Sequence, residues 1–448
     1  MIKLLSLLAD HLKGLSTMMK SWFKPITRTS LLIISLLFPV TAIAHNFEVD
    51  GIYYLLNGNN VSVTYKGWFY NQYTNEYSGD VIIPETVTFN GITYTVTEID
   101  NSAFKECSDL TSVIIPNSVT KMGDSAFSRC SSLKSVIIGN SVTSISSAAF
   151  YMCDSLTNVN IPNSVTEIGN SAFYCCFSMS SVTIPNSVTK IDDEAFGSCT
   201  RLKSVTIPNS VTKIGFRAFD GCANLTSIDI PNSVTEISDE AFGSCGSLKS
   251  VTIPNSITKI NFATFSCCTS LTSVTIPNSV TEIGGDAFEW SGLTSVTIPN
   301  SVTKIGYCAF DRCENLTSMI IGNSVTQIGE RVWRNCSSLE SVTCLAETPP
   351  VLYAGNDSFQ NVNATLYVPA ASVSAYKTAN NWCRFSSIQP ITETQPQDVN
   401  GDGEVNIADI NTIIDIILTG KLNLKGDVND DGEVNIADIN TVIDTILR

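Results

Sequence analysis

The chain has 448 residues, of which 43% are hydrophobic and only 15% charged, and 42 acidic against 26 basic side chains give a formal net charge of −16. This acidic balance argues against nucleic acid as a partner, and the two histidines, His11 and His45, exclude an interior catalytic or zinc-binding histidine. Length alone suggests about three domains, and the fifteen cysteines need a structural explanation.

The first element in chain order is a predicted export signal over residues 1–44. Basic residues precede the apolar run 31–40, and Ala42 and Ala44 put small residues at the −3 and −1 positions of a cleavage site. This arrangement is typical of a secretory signal peptide that is removed before His45. The apolar run is too short to cross the hydrocarbon core as a helix. We therefore expect a secreted or extracellular chain, with cell-surface association as one form of it, and no transmembrane segment in the mature chain.

A motif with a period of 23 residues fills the middle of the chain. It reads IPNSVTKIGxxAFxxCxxLxSVT. A fixed period of this length predicts a solenoid, in which each repeat contacts its neighbours and stacking makes one continuous core. The aromatic position is occupied by Phe104, Phe127, Phe150, Phe173, Phe196, Phe219, Phe242, Phe265, Phe288, Phe310 and Trp333, with Phe359 in a degenerate turn.

Within one repeat, the apolar residues predict a short strand followed by a core-facing loop. Leu202 and Val205 have the spacing of a strand and its approach, and Pro208 ends the strand because proline cannot donate a ladder hydrogen bond. Phe219 and Cys222 then enter the core. We expect each strand to pair with its equivalents about 4.8 Å above and below, so that about eleven or twelve coils form a slab roughly 50 Å long.

Ten of the fifteen cysteines occupy one position of the repeat, three residues after the aromatic residue. One cysteine per repeat does not supply the closely spaced ligand pairs of a zinc site. Stacked disulfides between coils and a column of buried thiols are the alternatives. We favour thiols, because equivalent Cβ vectors run parallel and a disulfide needs them to converge. The ten are Cys107, Cys130, Cys153, Cys176, Cys199, Cys222, Cys245, Cys268, Cys313 and Cys336.

These repeats resemble the leucine-rich repeats of BspA-like bacterial surface proteins, the Treponema pallidum type. The likeness runs over residues 83–345, and the flanks resemble the same family, with an N-terminal cap at 45–82 and a C-terminal cap at 346–390. The resemblance implies a predominantly β repeat solenoid with β-rich end caps. Towards the closing cap, Cys344 and Cys383 are a candidate disulfide pair.

The predicted solenoid surface is rich in serine, threonine and asparagine. Glu194 and Glu240 are the candidates for a catalytic acid pair, but both occupy the same slot before Ala-Phe. Catalytic carboxylates need a shaped cleft that shifts one pKa. We therefore interpret both as part of a solvated rim and predict no catalytic residue and no enzymatic activity. An extended polar surface suits the binding of a large partner.

After a polar linker at residues 391–397, two near-identical units begin at Asp398 and Asp427. Each carries oxygen-bearing side chains at loop positions 1, 3, 5, 9 and 12, a glycine at position 6 and a carbonyl ligand at position 7, as an EF-hand loop does, although position 12 is aspartate in place of glutamate. We expect one calcium ion in each loop. The predicted ligands are Asp398, Asn400, Asp402, Glu404 (carbonyl), Asn406 and Asp409 in the first loop and Asp427, Asn429, Asp431, Glu433 (carbonyl), Asn435 and Asp438 in the second.

The segment 398–448 strongly resembles a type I dockerin domain. Apolar residues at helical spacing follow each loop, which predicts a small all-α module of two amphipathic helices. The resemblance implies calcium-dependent binding to a cohesin-like protein. It places recognition residues at loop positions 10 and 11, here residues 407–408 and 436–437, which read Ile-Ala in both units. The near-identity of the units predicts a two-fold-related surface that binds in either orientation.

Two functions from different classes follow. The first is a secreted or cell-surface binding protein, whose solenoid holds a host or bacterial surface macromolecule while the dockerin tethers it to a cohesin-like partner. The alternative is a non-catalytic component of a cellulosome-like assembly that degrades polysaccharide. We favour binding, because every segment of the sequence is assigned to the signal, a cap, a repeat, the linker or the dockerin.

Overall fold

The computed structural model describes residues 45–67, 75–352, 357–360, 362–391, 399, 407–419, 426–429 and 434–446. The predicted signal peptide, and the predicted linker except for residue 391, lie outside these residues. Among the described helices, none is long and apolar enough to cross a membrane.

A cap sheet begins the described chain. Its first three strands form an antiparallel meander, the third pairs in parallel with the last, and the last two form a hairpin. Phe47 stacks on Phe89 with the ring centroids 4.2 Å apart, and Tyr77 lies 4.3 Å from Phe104, the first ring of the solenoid. The cap therefore covers the N-terminal end of the core. Its strands are β1 (Phe47–Val49), β2 (Ile52–Asn57), β3 (Asn60–Thr64), β5 (Thr86–Phe89) and β6 (Ile92–Ile99).

The first side of the solenoid is a parallel sheet of longer strands. A typical strand is Ser-Val-Thr, in which the valine is buried and its neighbours are exposed, as alternation in a half-buried strand requires. Strands pair with their equivalents 23 residues away. These strands are β4 (Gly79–Ile82), β7 (Leu110–Ile114), β9 (Ser135–Ile137), β12 (Ser181–Thr183), β14 (Ser204–Thr206), β16 (Ser227–Asp229), β18 (Ser250–Thr252), β20 (Ser273–Thr275), β22 (Ser295–Ile298), β24 (Ser318–Ile321), β26 (Ser341–Cys344), β28 (Thr365–Val368) and β29 (Ser387–Pro390).

The second side is a parallel sheet of two-residue strands. In most of them a charged residue faces the solvent and an isoleucine faces the core. The first of these strands pairs with β6, so the cap sheet continues into this side. They are β8 (Lys121–Met122), β10 (Ser144–Ile145), β11 (Glu167–Ile168), β13 (Lys190–Ile191), β15 (Lys213–Ile214), β17 (Glu236–Ile237), β19 (Lys259–Ile260), β21 (Glu282–Ile283), β23 (Lys304–Ile305), β25 (Gln327–Ile328) and β27 (Val351–Leu352).

The third side consists of turns that hold the aromatic residue of each coil. The amide of Phe196 donates to the carbonyl of Ala218 in the next coil over 2.8 Å, and the amide of Phe219 donates likewise to Ala241. The residues two before and two after each phenylalanine have positive φ, as at Glu194 and Ser198, both at +56°. This region normally favours glycine. The hydrogen bonds between coils hold the turn in this conformation.

A column of rings runs along the core. From Phe104 to Phe310, consecutive rings stack with centroid distances of 4.8–5.6 Å, and all of them are fully buried. The rings join the leucines and isoleucines of the coils in one hydrophobic cluster that includes both caps. The predicted β solenoid is confirmed, with about 13 turns in place of about eleven or twelve. The additional turns arise because β4, β28 and β29 extend the long-strand sheet.

One coil is a residue shorter than the others, and the structure absorbs the deletion at Gly292. A Cβ atom on Gly292 would lie 2.3 Å from the carbonyl oxygen of Thr269, so only glycine fits this close approach. The regular pairing of the long-strand sheet is also interrupted there, between β20 and β22. The aromatic column continues across the gap, since Phe288 and Phe310 stack at 5.3 Å.

The repeat cysteines form a second buried column. All fifteen cysteines are free thiols. Nine of the ten repeat thiols donate to the carbonyl of the phenylalanine one coil earlier over 3.0–3.3 Å, as Cys222 does to Phe196. Ser291 takes the position of the missing cysteine and lies 3.2 Å from the sulfur of Cys313. The interpretation as buried thiols therefore fits the structure, and nine of these thiols also have a hydrogen-bond acceptor.

We expect the repeat thiols to resist alkylation in the native protein. Burial raises the pKa of Cys199 and Cys268 to about 12, so about one thiol in ten thousand is ionised near pH 8. The exposed Cys383 should react first, followed by the partly exposed Cys267 and Cys308. Mass spectrometry after native labelling with iodoacetamide measures this order. After unfolding without reductant all fifteen should react, and a shortfall of two or more would show that disulfides had formed.

The C-terminal cap continues the sheet and then covers it. Strands β28 and β29 pair in parallel with β26 and with each other. Helix α1 (Val373–Thr378) and the 3₁₀ turns Ala370–Ser372 and Trp382–Arg384 lie between β28 and β29. The indole of Trp382 donates to the carbonyl of Pro350 over 2.9 Å, which fixes the ring over the end of the core.

The candidate disulfide between Cys344 and Cys383 is wrong. Cys344 is buried and receives a hydrogen bond from the Tyr376 hydroxyl, with oxygen and sulfur 3.2 Å apart, while Cys383 is exposed. The same hydroxyl lies 2.9 Å from the carbonyl oxygen of Ala346. Cys344 therefore belongs to the core of the closing cap.

The C-terminal module contributes helices α2 (Ile407–Thr419) and α3 (Ile436–Ile446). The predicted all-α character of this module is confirmed. Among the described residues its core is small and consists of a single cluster. The fully or nearly fully buried members are Val399, Ile413, Val428 and Val442.

Candidate functional site

The two predicted calcium loops end at equivalent positions of the two helices. Asp409 lies in the first turn of α2 and Asp438 in the first turn of α3, and both are completely buried. A carboxylate buried near a helix N-terminus is stabilised by the helix dipole and by free backbone N–H groups. The same burial at both positions supports the equivalence of the two units.

The described part of the second loop wraps around the carboxylate of Asp438. One carboxylate oxygen accepts from the amides of Val428 and Asn429 over 2.9 and 3.3 Å, and the other accepts from the amide of Asn435 over 2.8 Å. The side chain of Asn435 accepts from the amide of Ala437 over 2.7 Å, which caps α3. Asp438 therefore closes the loop by joining its beginning to its end.

These contacts test whether the residues present fit a calcium ion. An ionised carboxylate offers about four lone-pair positions, and Asp438 uses three of them on backbone amides. Counting the contacts of the described residues alone, one position remains, which suits a single bond to a metal and not the bidentate grip of an EF-hand glutamate. The oxygen donors at Asp427, Asn429 and Asn435 are of the type that calcium prefers. The donor types of these described residues therefore fit calcium.

The structure describes five of the predicted ligands. Among the described residues, no three acidic, cysteine or histidine side chains gather around one point. The other predicted ligands lie outside the described residues, so the complete ligand set stays a prediction. Those described are Asp409, Asp427, Asn429, Asn435 and Asp438, and those outside are Asp398, Asn400, Asp402, Glu404, Asn406, Asp431 and Glu433.

The predicted recognition residues at loop position 10 are highly exposed. Ile407 is 71% and Ile436 is 72% exposed, although both are large and apolar. Ile417 and Ile446, ten residues further along each helix, are each 41% exposed. The module thus presents matching apolar residues on both helices, which is typical of a surface that a partner covers.

The long-strand sheet of the solenoid presents two columns of hydroxyl groups. Between β12 and β22, most strands expose a serine and a threonine on either side of the buried valine, in register from coil to coil. Hydroxyl groups donate and accept hydrogen bonds without carrying charge. This face can therefore form many weak polar contacts with a large partner.

The short-strand sheet carries a ladder of opposite charges, which the sequence analysis did not identify. Lys213 lies 2.6 Å from Glu236, and Glu282 lies between Lys259 at 3.5 Å and Lys304 at 3.2 Å. Exposed pairs of this kind are each worth about 0.2–1 kcal/mol. The ladder is visible in the sequence, because the residue before the isoleucine of most short strands is lysine in some coils and glutamate in others.

Burial acts against the negative charge of Glu282, but its lysine neighbours outweigh that effect. Burial alone would raise the pKa of its carboxyl group, whereas the hydrogen bonds and charges of Lys304 and Lys259 lower it, and the net shift is downward. The ion pairs of Glu282 therefore stabilise the fold at neutral pH. This contribution is lost only as the pH falls through the lowered pKa of Glu282.

The proposed rim residues Glu194 and Glu240 each bind the coil next to their own. Glu194 accepts from the hydroxyl of Ser171 over 2.8 Å, and Glu240 accepts from the side chain of Arg217 over 2.7 Å. Both are partly buried and neither stands free. These contacts support a structural role in joining coils.

Comparison with known families gives two matches. The BspA type leucine-rich repeat region matches in six copies over residues 85–203, 189–317 and 258–383, which together span more than half of the chain. The dockerin type I domain matches residues 396–447. No curated protein matches the chain.

Solved structures of bacterial leucine-rich repeat proteins are similar to this chain. One from Bacteroides ovatus is 24% identical, covers 78% of this chain and all of its own length, and has a TM-score of 0.53. A leucine-rich cell-surface protein from Faecalibacterium prausnitzii is 26% identical over 78% of this chain and 95% of its own, with a TM-score of 0.46. The Treponema pallidum leucine-rich repeat protein is 28% identical over 45% and 90% of the two chains, with a TM-score of 0.40.

Proposed function

Since the chain belongs to the BspA-type leucine-rich repeat family and carries a type I dockerin domain, we propose that it is a secreted or cell-surface bacterial protein that joins two partners. The solenoid binds a macromolecule, and the dockerin binds a cohesin-like protein in a calcium-dependent manner. Both modules are protein-interaction modules. The presence of both in one chain is the observation that carries the proposal.

Calcium supplies the cross-link that holds each dockerin loop in one shape. We propose two ions, one in each loop, held by the twelve ligands that the spacing predicts. Asp409 and Asp438 orient their loops from the helix N-termini. The exposed Ile407 and Ile436 then form the apolar centre of the cohesin-facing surface, as buried apolar residues do at protein interfaces.

A second candidate function is that of a non-catalytic component in a polysaccharide-degrading assembly. The dockerin match at residues 396–447 favours it, because such modules attach proteins to shared scaffolds. The solenoid would then hold polysaccharide or another component near the enzymes. The identity of the molecule that the solenoid captures distinguishes the two functions.

We expect either of the two equivalent isoleucines to suffice for dockerin binding. If the partner binds in two orientations, Ile407→Asp or Ile436→Asp alone removes one orientation and weakens binding only about twofold, whereas the double substitution should weaken it more than about a hundredfold. Affinity capture from the surface fraction of the producing organism, in calcium and in chelator, measures both effects. Thr275→Asp on the solenoid is the control and should leave dockerin capture unchanged. Loss of capture with one single variant alone would contradict the two-orientation surface, and capture that persists in chelator would contradict calcium dependence.

A further inference from the structure

Strand β4 is an edge strand with one free side. Among the described strands it pairs with β7 alone. The amides of Gly79 and Ile83 donate towards the β7 side, to the carbonyls of Asp109 and Ile114. Backbone groups alternate in direction along a parallel strand, so those of Asp80 and Ile82 face the free side. A row of unpaired backbone groups of this kind can pair with another chain.

A cavity of about 590 Å³ lies beside this free edge. It is an open cleft lined by the turn between β1 and β2, by β4 with its preceding residues, and by β5. Among the described strands β5 pairs only with β6, so it is also an edge strand. Its volume is in the range of protein ligand pockets. The space therefore lies between two strand edges, one in the solenoid and one in the cap.

The cavity carries carboxylates, and none of the described residues that line it is basic. Asp50, Glu76 and Asp80 contribute to its wall. Asp80 accepts from the hydroxyls of Thr111 and Ser112 over 2.7 and 2.6 Å, and these hydrogen bonds lower its pKa and keep it charged. A cation that entered the cavity would meet no positive charge among these described lining residues.

Glu76 is the least satisfied of the three carboxylates. One of its oxygens accepts from the amide of Lys66 over 2.6 Å, while the other is buried and has no hydrogen-bond partner among the described residues. The ammonium group of Lys66 lies 5.7 Å from the ring centroid of Tyr53, and Lys66 does not line the cavity. An unpaired buried carboxylate oxygen is costly unless a donor reaches it. Burial raises the pKa of Glu76 to about 7, so the positive charge of a partner's lysine or arginine nearby would favour its ionised form.

An apolar column continues from the cavity across the sheet. Ile82, Ile114 and Ile137 face each other in register and are 67%, 37% and 59% exposed. The same position in later coils is mostly threonine, as in Thr206 and Thr252. Exposed isoleucines stacked on neighbouring strands indicate a surface that is covered by another molecule.

We propose that the free edge of β4 binds an extended peptide segment of a partner protein. The segment adds a strand beside β4, as in other cases of strand addition. Its alternate side chains then point in opposite directions. One set rests against Ile82 and the apolar column, and the other set places a lysine or arginine near Asp50 and Glu76. This inference rests on the proposed function of the solenoid. It specifies the kind of partner, an extended peptide with apolar and basic side chains, and its binding site at the edge of β4.

Fluorescence anisotropy with the full chain in calcium tests the inference. The probe is a labelled, blocked valine–lysine–valine–lysine–valine peptide, compared with a valine–glutamate version and with one N-methylated at alternate residues. We expect only the first to bind. Glu76→Gln, which keeps the shape of the side chain, should weaken binding about tenfold or more, because the attraction between the carboxylate and the lysine of the peptide is lost. Ile82→Thr should weaken it about threefold or more. The matched control Ile320→Thr, at the equivalent position of the distant strand β24 and 39% exposed, should change nothing.

Three results would overturn this inference. The first is equal binding of the lysine and glutamate peptides, and the second is N-methylated peptide binding that matches the parent. The third is a dimer, seen by light scattering, that Ile82→Thr dissociates and that no peptide displaces, which would make a second copy of the chain the occupant.

A parallel capture experiment separates this inference from the proposed function. If the wild-type solenoid and Glu76→Gln capture the same surface macromolecule equally and no peptide binds, the inference fails and the proposed function stands. If peptide binds as expected while the solenoid captures no macromolecule, the proposed function fails and the site at β4 is supported.

Discussion

Replacement of Phe219 with alanine is expected to lower the free energy of unfolding of the solenoid by about 3–5 kcal/mol. Phe219 is completely buried and stacks between Phe196 at 5.4 Å and Phe242 at 5.5 Å. The substitution removes a ring from the middle of the column and leaves a cavity that the rigid coils cannot close. Urea unfolding followed by far-ultraviolet circular dichroism measures the change.

The position of Phe219 also affects cooperativity. In a solenoid, stability is a sum over coils and the interfaces between them. A defect in a middle coil should therefore weaken the coupling of the two halves and broaden or divide the unfolding transition. Thr206→Ala, at an exposed position of β14 in the same coil, is the control and should change stability by less than about 0.5 kcal/mol. A loss below about 1 kcal/mol for Phe219→Ala would contradict the role of the ring column.

Removal of calcium is expected to abolish the helical signal of the C-terminal module while the solenoid stays folded. Among the described residues the module buries only a small apolar cluster, and it also buries the carboxylates of Asp409 and Asp438. So small a core seldom folds alone, and metal binding then supplies much of the folding free energy. Calcium at a hundred times its Kd would stabilise the folded module by about 2.7 kcal/mol for each site.

Circular dichroism of the full chain, with calcium and with excess chelator, measures this effect. The α-helical contribution should disappear in chelator and return with added calcium. The solenoid can be followed in the same samples by alkylation, because the thiol of Cys222 and its equivalents should stay protected while the coils are folded. A helical signal that chelator leaves unchanged would refute the prediction. Exposure of the repeat thiols in chelator would show that the two parts unfold together.

The periodic features of the fold could be predicted from the sequence, because each buried residue recurs at a fixed spacing. Val205, Phe219 and Cys222 were all assigned to the core, and all are buried at 5% exposure or less. The left-handed turns were not predicted. Glu194 and Ser198 hold positive φ values although neither is glycine, at an intrinsic cost of about 1–2 kcal/mol each. The hydrogen bonds that compensate come from the adjacent coil, which local sequence does not reveal.

For the candidate calcium loops, the sequence predicts which residue types are present but does not predict the hydrogen bonds that they make. Loop spacing predicts that Asp438 is a calcium ligand, but its three hydrogen bonds to backbone amides depend on how the loop closes around it. The candidate pair Cys344 and Cys383 failed because the closing cap buries the first and exposes the second. The sequence does not reveal the apolar column at Ile82. Its three isoleucines lie among hydrophobic repeat residues, and only the structure shows that they face the solvent.

The in-register pairing of equivalent residues affects how the number of coils can evolve. Val182 pairs with Val205, and Val205 pairs with Ile228. The contacts that a middle coil makes with the preceding coil are therefore nearly the same as those it makes with the following coil. Unequal recombination between the repeated coding segments would add or delete whole coils and leave each new neighbour a matching partner. The distance between the capped ends could then change in steps of one strand spacing, about 4.8 Å, while the chemistry of both ends was inherited intact.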